Sequence, residues 1–198
     1  MPKKVDHKER RLAFTEAAIE VIAERGLDAL RLVDVARAAG VTTGSLTHYF
    51  NDKDQLVAAA LDHVIAESIR QIAETQGDLI ATLAVFLPLE GRSQRAARVW
   101  LAFFGRSIGN ETLTEVHRHY YEEFHRTLVD RLRLSEPQIA PENRAPVADI
   151  IIALIDGILV RATLDPAGWP ADRQMEHMRL ALAPLLARPV EREKETTS

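Results

Sequence analysis

Apolar residues return every three or four positions along nearly the whole chain, and no stretch alternates with the two-residue period of a strand. That pattern predicts an all-α protein. Helices are expected over residues 7–25, 53–76, 78–87, 93–108, 111–134, 144–164 and 170–187. Gly26, Gln76-Gly77, Pro88, Gly91, Gly109, the 135–141 loop and Asp165-Pro166 are the breaks between them. In the first helix Leu12, Ala13, Ala17, Ile19, Val21, Ile22 and Ala23 are expected to form the buried side; in the helix from Lys53 that role falls to Leu56, Ala60, Val64 and Ile72. The Glu- and Lys-rich stretch 189–198 lacks this periodicity and is expected to be disordered.

One segment departs from the long helices. Residues 32–53 read LVDVARAAGVTTGSLTHYFNDK, two short helices about a glycine, and predict a helix-turn-helix at about residues 31–50. Val33, Val35 and Ala36 supply an apolar edge, Ala39 lets two helices approach, and Gly40 suits a positive φ. Val41 would plug the angle between the helices, and Thr42 or Thr43 would cap the second, over residues 44–49. Leu46 and Phe50 would anchor that helix in a core. Ser45, Thr47, His48 and Tyr49 are then left as short or planar hydrogen-bonding groups. Asn51 or Asp52 caps the next helix and puts Lys53 in its first turn, where the helix dipole disfavours a cation unless it reaches an anion such as a phosphate.

Farther along, the stretch 147–164 is apolar on nearly every face, through Ile150, Ile151, Ile152, Leu154, Ile155, Ile158, Leu159 and Val160. Met175, Met178, Leu182, Leu185 and Leu186 form a second stripe. Such surface sits at the centre of one chain or meets a second chain. Trp100, Phe103 and Phe104 lie within about one helical turn, and Tyr120, Tyr121 and Phe124 follow on the next long helix. These aromatics make either a plain core or the wall of a small-molecule site. Aromatic faces attract cations, and Asp156 or Glu123 would strengthen a site for an ammonium group. Asp156 stands in an apolar run, so its alternative is a pairing with Arg161 or a neighbouring helix.

Composition narrows the function classes. The 198 residues include no cysteine, which excludes disulfides and thiolate metal sites and fits a reducing cytoplasm. No apolar run reaches the ~20 residues of a membrane span, and the basic start lacks the apolar core of a signal peptide. A cytoplasmic protein without membrane association is therefore expected. The net charge of −4 is unevenly spread: residues 1–53 hold nine Lys or Arg against eight Asp or Glu, and the remainder sixteen against twenty-one. Lys3, Lys4, Lys8, Arg10 and Arg11 gather at the start, to meet phosphate or a minor groove or to remain a solvated tail. There is no phosphate-binding glycine loop, and His117 and His119, two apart, point to different faces of a helix. No cofactor and no metal are expected.

The string VARAAGVTTGSLTHYFNDKDQL at 35–56, preceded by Glu24-Arg25-Gly26, resembles the DNA-binding domain of TetR-type transcriptional regulators over roughly residues 8–68. VWLAFF at 99–104 and ALIDGILVRA at 153–162 resemble the ligand domain of the subgroup containing the choline-responsive repressor of glycine betaine synthesis. The resemblance implies a DNA-binding head over residues 1–53, a ligand-binding and dimerisation body over 54–188, and a homodimer on a pseudo-palindromic double-stranded operator. A small-molecule effector, with a cationic one as the candidate, would release it. Thr42, Thr43, Gly44, Ser45 and Thr47 would lie nearest the bases; His48, Tyr49 and Lys53 would hold phosphates. Many members carry Tyr where Thr47 stands and a Thr cap where Arg31 stands, which makes Arg31 the substitute phosphate contact. The effector would meet Trp100, Phe103, Phe104, Tyr120, Tyr121, Phe124 and Asp156. Ile151, Leu154, Ile158, Met178, Leu182 and Leu185 would pair with their symmetry mates in a four-helix interface. The competing class is a small-molecule-binding helical enzyme or scaffold without DNA binding, which leaves Thr43, Ser45, Thr47 and His48 without a role.

Overall fold

The computed structural model describes residues 7–76 and 78–187, and within them the chain is entirely helical. The helices are α1 (His7–Arg25), α2 (Leu32–Ala38), α3 (Thr43–Thr47), α4 (Lys53–Glu74), α5 (Leu79–Ala84), α6 (Gly91–Ser107), α7 (Glu111–Ser135), α8 (Pro141–Leu164) and α9 (Ala171–Ala187). None of them is long and apolar enough to cross a membrane. Lys3, Lys4, Gly77 and the 189–198 stretch, all singled out from the sequence, lie outside the described residues.

Local chemistry sets most of the boundaries. α2 closes with a left-handed Gly40 at φ +68: its amide bonds Arg37 O at 3.1 Å, and the Val41 amide bonds Ala36 O at 2.9 Å. This double closure satisfies carbonyls that the end of a helix leaves free. Asp52 rather than Asn51 caps α4, its carboxylate accepting from the Gln55 amide at 2.8 Å while Gln55 Oε1 accepts from the Asn51 amide at 3.1 Å. α8 starts at Pro141, three residues earlier than the periodicity indicates, because proline at the first helical position loses no bond and brings the right φ. Pro146 is carried inside the same helix on its exposed side. α5 is shorter than expected, ending at Ala84 ahead of the turn into Pro88.

Two hydrophobic cores result. The first joins α1, α2 and α3 to the start of α4 around Phe14, Ile22, Val35, Leu46, Phe50, Leu56 and Ala60, and takes in Val99 of α6. Leu12, Ala13 and Val33, expected inside, are exposed, since the three-helix packing turns them to solvent. The second core joins α5, α7, α8 and α9 around Leu83, Leu128, Leu132, Ile151, Ile155, Met178 and Leu182. α6 lies between the two and reaches back to the head with a row of arginines. Arg95 pairs with Glu20 at 2.9 Å, Arg98 donates to Ala23 O at 3.0 Å, and Arg92 pairs with Glu67 of α4 at 2.9 Å. Glu67 also accepts from Arg70 and Gln71, and these donors hold its carboxyl down at about 2.

Candidate functional site

The head presents α3 on its surface. Thr42 is the cap, its hydroxyl oxygen accepting from the Ser45 amide at 3.2 Å. Thr42, Thr43, Gly44, Thr47 and His48 are exposed, and Ser45 and Tyr49 are half-buried. The helix ends at Thr47, two residues short of the expectation, with His48 as its C-cap. Leu46 and Phe50 are fully buried and fix the helix by its inner side. Thr47, exposed, donates its hydroxyl to Gly44 O at 3.0 Å. The exposed row is therefore small and hydroxyl-rich, the profile that fits between base edges.

Around it, the assigned roles separate. The Tyr49 ring lies 4.3 Å from His7 and edge-on to Phe14 at 5.1 Å, so it is braced by the head's core. Arg11 donates to Tyr49 O at 3.0 Å, and its guanidinium lies 4.3 Å over Phe50. Arg11 thus ties the end of α3 to α1. Arg31 is exposed at the start of α2 and makes no side-chain cap bond. Lys53 begins α4 and, half-buried, lines a 440 Å³ cavity at the junction of head and body.

The body contains a second cavity, of 520 Å³, between α4, α6, α7, α8 and the turn that follows α5. Trp100, Tyr120, Tyr121, Phe124 and Asp156 line it. Phe103 and Phe104 do not. Phe103, buried with its ring 6.0 Å from that of Trp100, lines the junction cavity instead, and Phe104 points outward against the edge of His117. Both were grouped with Trp100 by their spacing, but α6 is sandwiched between head and body, so neighbouring positions on it face different partners.

Asp156 is the polar centre of this cavity. Its Oδ2 accepts from the Tyr121 hydroxyl at 2.6 Å, rather than pairing with Arg161, whose guanidinium lies over Trp169 at 5.2 Å. Burial pushes the Asp156 carboxyl up from its usual value, against the Tyr121 bond and the nearby His117, which pull it down. Burial likewise raises Tyr121 and lowers His117. Trp100, His117 and Tyr121 stack with ring centroids 4.3 to 5.9 Å apart. Nε2 of His117 is buried without a partner. A carboxylate that pays for burial beside aromatic faces is an arrangement a cation relieves. Sequence reasoning did not place His117, stacked on Tyr121 four residues later, near Asp156, nor His119 and the α4 residues Ile65, Ser68 and Ile69 on the cavity wall. The Tyr120 hydroxyl bonds Asp62 of α4 at 2.6 Å, so α7 also grips the helix that leads to the head.

The residues expected between two chains divide in the same way. Ile151, Ile158, Met178 and Leu182 are buried within the chain's own core; Leu154 and Leu185 are half-buried at its margin. An outward stripe of exposed residues runs through Ile150, Ala153, Gly157 and Leu164 on α8, with Leu180, Ala183 and Ala187 on α9. A one-position shift turns a helical residue by about 100°, enough to exchange the two faces.

A helix-turn-helix head carried on a cavity-containing helical body defines a DNA-binding regulator. Residues 14–60 match the profile of bacterial regulatory proteins of the tetR family, and residues 75–187 match that of the BetI-type transcriptional repressor C-terminal domain. The chain belongs to the TetR family of transcriptional regulators, with a BetI-type body, and is not an enzyme. It is 32% identical over 180 residues to the HTH-type transcriptional regulator BetI of Burkholderia mallei, covering 87% of this chain and 90% of that protein. With the HTH-type transcriptional regulator PksA of Bacillus subtilis it shares 29% identity, covering 87% and 88% of the two chains. Among solved structures, a Saccharomonospora viridis regulator in complex with choline superposes with a TM-score of 0.80 at 23% identity, over 93% of this chain and all of that one.

Proposed function

We propose that the protein is a homodimeric, cytoplasmic repressor that binds a pseudo-palindromic operator and leaves it when a small cation enters the body cavity. The observation that carries the effector's charge is Asp156, held under the Tyr121 hydroxyl beside Trp100 and Phe124, with Glu123 as a second carboxylate and no Lys or Arg on the cavity wall. The BetI-type body and the choline bound in the Saccharomonospora neighbour support the same class of ligand. On the head, Thr42, Thr43, Gly44, Ser45 and Thr47 are assigned to base edges, and Arg31, His48, Tyr49 and Lys53 to phosphates. Two heads on a dimer would address half-sites about 34–36 Å apart, one turn of the duplex. The outward stripe through Ile150, Ala153, Gly157 and Leu180 is the dimer surface, its small residues allowing the helices to approach closely.

Ligand acts through the difference in its affinity for the two head spacings, and only that difference moves the equilibrium. Both α4, which forms one cavity wall, and α6, which is bonded to α1, are placed to pass it on. The test is binding to the DNA flanking the protein's own gene, with and without choline and other quaternary ammonium compounds. Salt-sensitive binding that a cation reverses is expected; binding no tighter than to random DNA would overturn the proposal. Lys53→Ala should weaken binding to every sequence alike, and unchanged nonspecific affinity would remove Lys53 from the phosphate set.

A further inference from the structure

The cavity is much larger than a small ammonium ion. A seven-heavy-atom quaternary ammonium alcohol occupies roughly 150 Å³, at about 20 Å³ per heavy atom against the ~30 Å³ share of a water molecule. The cavity measures 520 Å³. The space left over is mostly apolar: Ile65, Ile69 and Ile72 of α4, with Val85, Phe86 and Leu159, line it, and Ser68, Ser93, His119, Glu123 and Thr127 supply the polar part of the wall. Ile69 is 62% exposed, a large apolar side chain at the cavity wall that the head and body cores both leave uncovered. Ile65, Ile69 and Ile72 share one face of α4, and from first to last they span about 10 Å of helix.

We infer that the effector is a cationic amphiphile, with its ammonium head at Asp156, Tyr121 and Trp100 and a linear apolar tail laid along the Ile65–Ile69–Ile72 face of α4. The inference rests on the cation reading above and adds to it the second half of the ligand. At interior packing density the unfilled volume holds on the order of ten methylenes, and the isoleucine face matches a chain of similar length. The tail also supplies a mechanism. A compact cation at Asp156 touches α6, α7 and α8, whereas a tail on α4 presses on the helix that carries the DNA-binding head.

The test is calorimetric titration of the full-length protein with tetramethylammonium and with butyl-, hexyl- and octyltrimethylammonium, all kept far below micelle concentration. Each added methylene should tighten binding about 4-fold, the equivalent of ~0.8 kcal/mol. Ile69→Ser, at an exposed position that does not hold the fold, should weaken the octyl compound 5- to 10-fold and leave tetramethylammonium unchanged. Asp156→Asn should weaken every member of the series. Affinity that ignores chain length in the unaltered protein, yet falls in Asp156→Asn, would overturn the tail and keep the cation. Octanol binding as tightly as octyltrimethylammonium, with Asp156→Asn indifferent, would overturn the cation reading and the amphiphile with it.

Discussion

Replacing Asp156 by Asn separates what the carboxylate does for a ligand from what it does for the fold. The side chains are nearly isosteric, and the Tyr121 hydroxyl, now 2.6 Å from Oδ2, can donate to an amide oxygen in the same place. What disappears is one negative charge. Between unit charges about 5 Å apart, at an effective dielectric near 20, the attraction is roughly 3 kcal/mol. Because Asp156 is only half-buried, about half of that should survive solvent screening, so cation affinity should fall about 10-fold. The fold should not suffer. Burial raises the Asp156 carboxyl, so the folded state favours its protonated form, and this stabilising effect is full below the ordinary carboxylate value and lost as pH rises through the raised one. When ionised, the group is therefore a cost that the neutral amide removes. Calorimetry with tetramethylammonium and choline gives the affinity, and a thermal melt of the ligand-free protein gives the stability. An affinity within twofold of the original, or a melting temperature lowered by more than about 5 °C, would show that Asp156 is a structural group and that the cation site lies elsewhere.

Other perturbations address the remaining assignments. Gly40→Ala forces a Cβ into φ +68 and should cost about 1 kcal/mol in a chemical melt while weakening DNA binding; an unchanged melt would mean the turn relaxes. Cation affinity should decline as the pH is lowered toward the usual carboxylate range. Asp156 neutralises through its raised value and His117 gains positive charge below its usual 6.5, both opposing a cation, so a flat profile in titration calorimetry would exclude them from the site. Ile150→Glu, at a half-exposed position on the outward stripe, should convert the proposed dimer to monomer in analytical ultracentrifugation with little loss of monomer stability. Ile151→Ala, one residue along and fully buried, should instead cost about 3 kcal/mol of stability. A dimer that survives the first change would move the interface off α8.

The sequence determined what local chemistry controls. The period of the apolar residues made the chain helical, Gly26 and Gly40 marked turns that only a positive φ closes at low cost, and Leu46 and Phe50 named the buried side of a helix whose other side is hydroxyl-rich. Those features depend on a few neighbouring residues, so they can be read along the chain. Tertiary packing decided which aromatic meets which space. Trp100 and Phe103 sit three positions apart, yet α6 runs between two cores and sends one to the body cavity and the other toward the head. On α8 the apolar residues encircle the helix, so periodicity is silent about which side the body covers; the contacts with α7 and α9 bury Ile151 and leave Ile150 outside. The cavity itself has no sequence signature, because it is the volume that four helices and a turn fail to fill, and its shape follows from their crossing rather than from any one of them.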